Sequence, residues 1–176
     1  MALNLEQKQA VVKEVSEVAA EALSAVASEY RGLTVGEMDE LRVAARKQGV
    51  YLRVVKNTLA KKAFEGTEFE CMNDGLVGPM ILALSQEDPG AAGRVIKDFA
   101  KEHDKLIPKL LAVGGQALPG SEIDRLAKLP TKDQAIAMMM SVMIAPIEKF
   151  VRTLNEPHAK LVRTIAAVRD QKQDAA

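Results

Sequence analysis

The sequence has no tryptophan, one cysteine and only 3% aromatic residues. With a single cysteine, Cys71, the chain cannot form an internal disulfide, and this usage is typical of proteins in a reducing cytoplasm. We expect Cys71 to be a small buried apolar residue, because no histidine or basic residue lies beside it to favour the thiolate. With so few aromatic rings, stacking on aromatic side chains is not expected to be the main mode of any RNA contact.

Motifs of the common catalytic and nucleotide-binding sites are also absent. There is no GxxxxGK[ST] phosphate loop, GxGxxG fingerprint, GxSxG elbow or HExxH zinc motif. His103 and His158 lie far apart without a nucleophile or ligand cluster nearby, so both are expected on the surface. Asp98, Glu102 and Asp104 alternate with lysines, which favours solvated ion pairs over a metal site. The sequence therefore predicts no enzymatic activity, no metal and no cofactor.

Charge of one sign is not in excess either, because 24 basic residues balance 24 acidic ones. The first residues, MALNLEQKQAVV, carry an early acid and no apolar core segment, so no signal peptide is expected. A chain of 176 residues has room for one domain of about 130 residues and a further helix. We predict a globular domain over residues 1–130 and a helical segment over 131–176.

The helical segment repeats every eleven residues. Its blocks are MMSVMIAPIEK (139–149), FVRTLNEPHAK (150–160) and LVRTIAAVRDQ (161–171). Eleven residues make about three α-helical turns, so each block returns to nearly the same face. At 1.5 Å per residue the helix is about 65 Å long. The domain before it has an expected radius of gyration of only about 13–14 Å, so most of the apolar stripe needs partners from other chains. The apolar positions of this predicted binding stripe are Ile136, Met139, Met140, Met143, Ile147, Phe150, Val151, Leu154, Leu161, Val162, Ile165 and Val168.

The ends and breaks of this helix are also predictable. Thr131 and Gln134 form a capping-box pattern directly after Pro130. Pro146 and Pro157 recur eleven residues apart, and each is expected to kink the helix. Two alternatives stay open: the helix folds back on the domain, or it pairs as a homodimeric coiled coil, although its period argues against the latter. A membrane span is not expected, because the apolar run over 135–147 is too short and contains a proline.

The first 130 residues alternate between strand and helix patterns. Strands are predicted over 22–30, 50–55, 76–84 and 106–113. Helices are predicted over 4–20, from Thr34 to Gly49, over 58–65, from Asp88 to about His103, and from Ser121 to Leu129. Thr34 (in a capping box with Glu37), Asn57, Asp88 and Ser121 are the expected N-caps. This order is the split βαβ, ferredoxin-like plan of an α+β domain, with two helical crossovers on one face of the sheet.

Basic residues concentrate between Arg31 and Lys62, where eight bases and three acids give a local charge of +5. Such segregation predicts a phosphate-binding face. Two turns in it carry the prediction: Tyr30-Arg31-Gly32 leaves the first strand, and Lys56-Asn57-Thr58 leaves the second strand into a helix N-terminus. If both strands belong to parallel crossovers, the turns meet at one end of the sheet. The residues predicted to contact the phosphates of a nucleic acid are Tyr30, Arg31, Gly32, Arg53, Lys56, Asn57 and Thr58. Solvated helix faces over 42–47 and 61–62 are the alternative interpretation.

Several segments together resemble a known family. They are Ala2-Leu3-Asn4-Leu5 with Lys8, Tyr30-Arg31-Gly32-Leu33-Thr34, Val54-Val55-Lys56-Asn57-Thr58-Leu59, Val77-Gly78-Pro79, residues 126–130 and Lys160-Leu161-Val162-Arg163-Thr164. They resemble the bacterial stalk-base protein of the large ribosomal subunit, the tenth large-subunit protein family, over essentially the whole chain. The resemblance implies a cytoplasmic ribosomal protein whose globular domain binds large-subunit rRNA beside a neighbouring rRNA-binding stalk-base protein.

The resemblance also implies a role for the C-terminal helix. In the family this helix carries dimers of the small acidic stalk protein, which recruits GTP-bound translation factors. The seven bases and five acids from Lys132 onward have the right sign for such a partner. One dimer per block gives three, and two is the alternative count, because Ser141 and Val142 replace the Arg-Thr pair in the first block. The two prolines and the full second block make the helix long for the shorter family members.

Two further interpretations remain from the sequence. Members of the family commonly repress translation of their own message, and this sequence neither supports nor opposes binding to its own mRNA leader. Outside the family, the alternative is a non-ribosomal RNA-binding adaptor with a coiled-coil or membrane-surface helix.

Overall fold

The computed structural model describes residues 4–103 and 105–174, which divide between Thr131 and Lys132 into two compact units. Asp104, part of the acidic cluster weighed above, lies outside the described residues, as do Ala2 and Leu3. Two short 3-10 helices, Glu70–Gly75 and Gly120–Glu122, accompany the main elements. The main elements are α1 (Leu5–Glu21), β1 (Ser24–Glu29), α2 (Val35–Lys47), β2 (Val50–Val54), α3 (Asn57–Phe64), β3 (Met80–Ser85), α4 (Ala91–Glu102), β4 (Ile107–Val113), β5 (Gln116–Pro119), α5 (Ile123–Ala127) and α6 (Lys132–Asp174).

The strands form one sheet in the order β2-β3-β1-β4-β5, and every neighbouring pair is antiparallel. Because β1 and β2 are both antiparallel to β3, which lies between them, they run in the same direction. Helix α2 connects them, so β1-α2-β2 is a split βαβ unit. The predicted ferredoxin-like α+β architecture is confirmed.

Helices cover both faces of the sheet. One buried cluster joins α2, α4 and α5 to the sheet and includes Leu41 and Ile96. The other joins α1 and α3 to the opposite face and includes Val15 and Phe64. The central strand β1 is almost wholly buried because its side chains alternate between the two clusters. The two crossover helices, α2 and α4, share one face, as predicted.

The sequence reasoning missed the fifth strand. Gly114 and Gly115 have φ values of +56° and +77°, and Val113 pairs with Gln116 across them. Two successive residues with positive φ match a tight hairpin turn, which glycine favours because it has no side chain to clash. The two glycines therefore connect β4 to β5 instead of only closing β4.

The predicted helix caps had mixed outcomes. The Thr34–Glu37 capping box is present. The cap at Asn57 is wrong: helix α3 starts at Asn57 itself, and its side chain donates to backbone carbonyls of another loop. The cap at Asp88 is wrong because α4 starts at Ala91 after Gly90, although the Asp88 carboxylate does accept from the Gly90 amide at 3.0 Å. The cap at Ser121 is wrong because that residue lies in a 3-10 helix before α5.

Two further predictions are corrected around the third strand. Strand β3 begins at Met80 rather than residue 76, because Pro79 lacks an amide donor for the ladder and Gly78 has a φ of +95°. Cys71 is exposed instead of buried, since the 3-10 helix turns Met72 inward, next to the buried Phe69. The predicted packing role of Cys71 is therefore wrong.

The second unit is one helix, α6, of 43 residues. The helix continues through both Pro146 and Pro157. By length and composition alone it is apolar enough to cross a membrane, with a mean hydropathy of 1.4 over its most apolar 18 residues. Only residues 134–147 separate the charges of Asp133 and Glu148, fewer than the roughly 20 apolar residues that a span needs.

Candidate RNA-binding edge and exposed helical stripe

The two predicted turns lie at the same end of the sheet. Ser28 of β1 and Val54 of β2 both pair with Ile81 of β3, so the two parallel strands end side by side. The loop before β3 joins the turns. The Tyr30 amide donates to the Pro79 carbonyl at 3.4 Å.

The second turn is held by the same loop. The Asn57 side-chain amide donates to the Leu76 and Gly78 carbonyls at 3.3 and 2.9 Å. Asn57 therefore acts as a structural tie, and Thr58 beside it is exposed. Gly32 has a φ of +88°, a backbone conformation that requires glycine at this turn.

The cationic side chains of this end point into solvent. Arg31 is 77% exposed and Lys56 is exposed. The Glu29 carboxylate lies 3.5 Å from Arg31 and 3.4 Å from Lys109 of β4, and so holds two cations together. A Cβ placed on Gly32 would lie 3.6 Å from the Lys105 side chain, so the Lys105 side chain extends along the first turn. We call Arg31, Lys56, Lys105 and Lys109 the basic edge.

Sequence reasoning missed Lys105 and Lys109. They follow Arg31 by more than seventy residues and lie outside the basic segment. The antiparallel pairing of β4 with β1, which sets Glu29 opposite Ile107, brings them to the edge. No local signal in the sequence marks them.

Arg53, shortly before the second turn, has partners within its own chain. Its guanidinium forms an ion pair with Glu14 of α1 and donates to the Tyr51 hydroxyl at 3.0 Å. Tyr51 in turn donates to Glu14 at 2.8 Å. Hydrogen bonds from Arg53 and then Tyr51 lower the pKa of Glu14, while burial raises the pKa of Tyr51. Arg53 thus fastens α1 to the edge strand β2 within its own chain.

The other bases of the predicted segment are spread over helix surfaces. Arg42 pairs with Asp39 at 2.7 Å, and Arg46 and Lys47 lie in the last turn of α2. That turn precedes Val50, which pairs with Ser85 at the end of the sheet away from Arg31. For these residues the alternative interpretation of solvated helix faces fits the structure.

His103 differs from the expected surface residue. Its ring lies 4.3 Å from the ring of Phe99, and Nδ1 is 3.6 Å from a Glu37 oxygen. It is half-buried and fixes the end of α4 against the start of α2. His158 on α6 is exposed. Among residues 4–103 and 105–174, no three His, Cys or carboxylate side chains group as metal ligands would.

The apolar stripe of α6 is exposed along its length. Phe150, Val151 and Leu154 of the second block expose 65%, 58% and 63% of their surface. The polar side of the helix carries ion pairs at one-turn spacing, such as Arg152 with Glu148 at 3.4 Å and Lys160 with Glu156 at 3.6 Å. An amphipathic helix that leaves this face in water is typical of a surface for partner proteins.

Comparison with known proteins decides the family. A family model described as ribosomal protein L10 matches residues 3–101, more than half of the chain. The chain belongs to the ribosomal protein L10 family. As a family member it is a structural constituent of the large ribosomal subunit in the cytoplasm and not an enzyme.

Full-length relatives agree with this membership. The chain is 65% identical over 176 residues to the large ribosomal subunit protein uL10 of Thioalkalivibrio sulfidiphilus, covering 100% of both chains. It is equally identical, over the same length and coverage, to the uL10 protein of Alcanivorax borkumensis. The uL10 protein of Nitrosococcus oceani is 64% identical over 173 residues, 98% of this chain and 93% of the relative. The length of the helix is thus shared with family members.

The C-terminal helix matches a second family model. The model, described as the ribosomal protein uL10 C-terminal region, matches twice, over residues 129–155 and again over 153–175. The two matched ranges follow one another along the helix and overlap by three residues. Each range is about two of the eleven-residue blocks long, so the number of binding sites along the helix stays a prediction.

Proposed function

We propose that the chain forms the base of the large-subunit stalk. The basic edge binds large-subunit rRNA, and the stripe of α6 anchors dimers of the acidic stalk protein, which brings GTP-bound translation factors to the ribosome. One observation supports the proposal above all others. The chain combines a compact domain that has a cationic edge with a 43-residue helix whose apolar face is exposed.

The RNA half of the proposal follows from charge and shape. Four cations converge at one end of the sheet, with Glu29 as the adjoining acid on β1. The turns carry exposed backbone at Gly32 and Gly78 and end at the start of α3, whose free amides favour phosphate. Contacts of this kind read the RNA backbone and its shape more than its sequence. The neighbouring rRNA-binding stalk-base protein would lie beside this edge.

The test removes two of these cations. Arg31→Ala with Lys56→Ala should weaken binding to a large-subunit rRNA transcript and lower the salt slope of log K by about 1 for each phosphate that is no longer neutralised. Binding of the acidic stalk protein by the same variant should not change. Arg46→Ala with Lys47→Ala is the matched control, because it removes the same charge from the opposite end of the domain. Normal rRNA binding by the first variant at every salt concentration would contradict the proposal.

A pull-down with the full chain distinguishes the stalk-base function from the non-ribosomal adaptor. The chain should capture acidic stalk protein from solution, whereas capture of liposomes or of a second copy of the chain would favour the adaptor. Competition between the rRNA transcript and the leader of its own mRNA would test the autogenous repression that the family resemblance implies.

A further inference from the structure

A groove between α1 and α3 has no part in the function proposed above. It has a volume of about 610 Å³ and an apolar floor formed by Leu5, Val12 and Leu59. Lys8 and Lys62 stand at its rim. Leu5 is 67% exposed and is not part of the buried core. An exposed leucine between two lysines suits a ligand that is apolar in one part and anionic in another.

The charges of the groove are uneven. Among the described residues, no carboxylate lies within ion-pair distance of Lys8 or Lys62, and both are at least partly exposed. Lys13 and Glu17, further along α1, pair with each other at 3.9 Å. The unneutralised positive charge of the groove is therefore that of Lys8, near the start of α1, and Lys62, in the last turn of α3.

The groove and the basic edge share α3. This helix starts at Asn57 in the second turn of the edge, Leu59 lies in its first turn, and Lys62 lies in its last turn. Helix α1 ends at the other end of the sheet, where the Leu23 amide donates to the Ser85 carbonyl at 2.8 Å. Helix α1 is about 25 Å long and packs on α3, so it runs back from that end along the sheet in the direction of the edge. Lys8, near the start of α1, thus lies on the side of the groove that is directed toward the edge.

We propose that this groove holds one unstacked base of the bound rRNA, with Lys8 and Lys62 on the phosphates flanking it. The proposal rests on the rRNA binding proposed above. Single-stranded RNA bases are recognised by apolar or aromatic surfaces that replace stacking. This chain is poor in aromatic residues, and the leucines and valine of the groove supply an aliphatic surface instead. Continuity with the basic edge favours RNA over an acidic helix of a neighbouring protein.

The test separates recognition of the base from recognition of the phosphates in the full chain. With a large-subunit rRNA transcript, Leu5→Ser should raise Kd about fivefold while leaving the salt slope unchanged, since only apolar surface is removed. Lys8→Gln should lower the salt slope by about 0.7–0.9, because one phosphate is no longer neutralised. Leu23→Ser and Lys47→Gln, exposed residues at the opposite end of the domain, are the matched controls and should change neither quantity.

A photoreactive benzophenone side chain at position 5 gives a second readout in assembled large subunits. Crosslinking to one rRNA nucleotide supports the proposal, and crosslinking only to another protein overturns it. Wild-type affinity and slope for both groove variants also overturn it, even if the Arg31/Lys56 variant still fails to bind. If instead the groove variants are impaired while the Arg31/Lys56 variant binds normally, the groove proposal stands and the basic edge is wrong. Circular dichroism of each variant confirms that the fold is retained.

Discussion

Excising residues 150–160 should remove one dimer of the acidic stalk protein and leave rRNA binding unchanged. The eleven residues make three helical turns with an excess of only about 20°, so the flanking blocks keep their common face. The deletion removes Phe150, Val151 and Leu154 together, along with Pro157. If each block is one site, copy number should fall by one, from three to two or, on the alternative count, from two to one.

The magnitude follows from the exposed surface. Full burial of a large apolar side chain is worth roughly 1.5–3 kcal/mol. The three side chains expose about three-fifths of their surface, so burying them contributes about 1–2 kcal/mol each, or about 3–6 kcal/mol per block. Association costs an estimated 4–15 kcal/mol, so a block needs all three side chains and further helix packing. Phe150→Ala alone should cost about 2 kcal/mol, a reduction of about thirtyfold in affinity for that dimer.

Native mass spectrometry of the reconstituted complex measures the copy number, and a titration measures affinity. Arg152→Ala with Glu156→Ala is the control, because these exposed residues lie on the polar side of the same block. The control should retain every dimer. An unchanged copy number after the excision would refute the reasoning. The eleven-residue repeat would then reflect only the helical period of the apolar residues and not a series of binding sites.

Three other predictions concern the domain. Truncation after Pro130 should leave a folded domain that binds rRNA but cannot capture acidic stalk protein in a pull-down; retained capture would mean that the binding site for the stalk protein lies in the globular domain and not on α6. Gly120→Ala should destabilise the domain by about 3 kcal/mol in denaturant unfolding, because the new Cβ would lie 1.9 Å from the Pro108 carbonyl oxygen. Gly36→Ala, with no atom within 4 Å, should not destabilise it, and equal effects would contradict this account. The pKa of Glu14 is lowered in the folded state, so its contribution is present above the unfolded pKa and lost as pH falls through the folded pKa. The melting temperature of Glu14→Gln should therefore lie below wild type at pH 7 and converge with it as the pH falls through the lowered pKa of Glu14; a difference that stays constant over this range would show that the ion pair is not the cause.

The globular architecture was predictable because local patterns and the split βαβ order agree. Thr34 is the N-cap of α2 and Glu37 lies in the first turn of the same helix, so a short sequence window contains their whole interaction. The cap at Asn57 failed for the opposite reason. Asn57 has carbonyl partners about twenty residues away, at Leu76 and Gly78. A side chain with a tertiary partner is no longer free to cap its own helix. Asp88 differs from Asn57 because its partners are local: its carboxylate accepts from the Gly90 amide and pairs with Arg94 of α4, and the helix itself starts three residues later, at Ala91.

In the candidate site, too, some residues were predictable from the local sequence and others were not. The turns at Arg31 and Lys56 were predictable from a run of bases and strand direction, but Arg53 in the same run is engaged by Glu14 across the edge of the sheet. Alternation along a strand sends neighbouring side chains to opposite faces, and only the packing of α1 decides which of them meets a carboxylate.

The sequence by itself determined the long helix and its exposed stripe, since an eleven-residue period is written in consecutive residues and a 43-residue helix is too long for a small domain to cover. It also determined the basic segment and, through it, the expectation of RNA. Only the tertiary structure decided which cations act together. Lys105 and Lys109 reach the basic edge through the pairing of β4 with β1, and Lys8 reaches its neighbouring groove through the packing of α1 on α3. Charges separated by tens of residues cooperate only when the chain brings them within several ångströms, and that distance is a property of the fold.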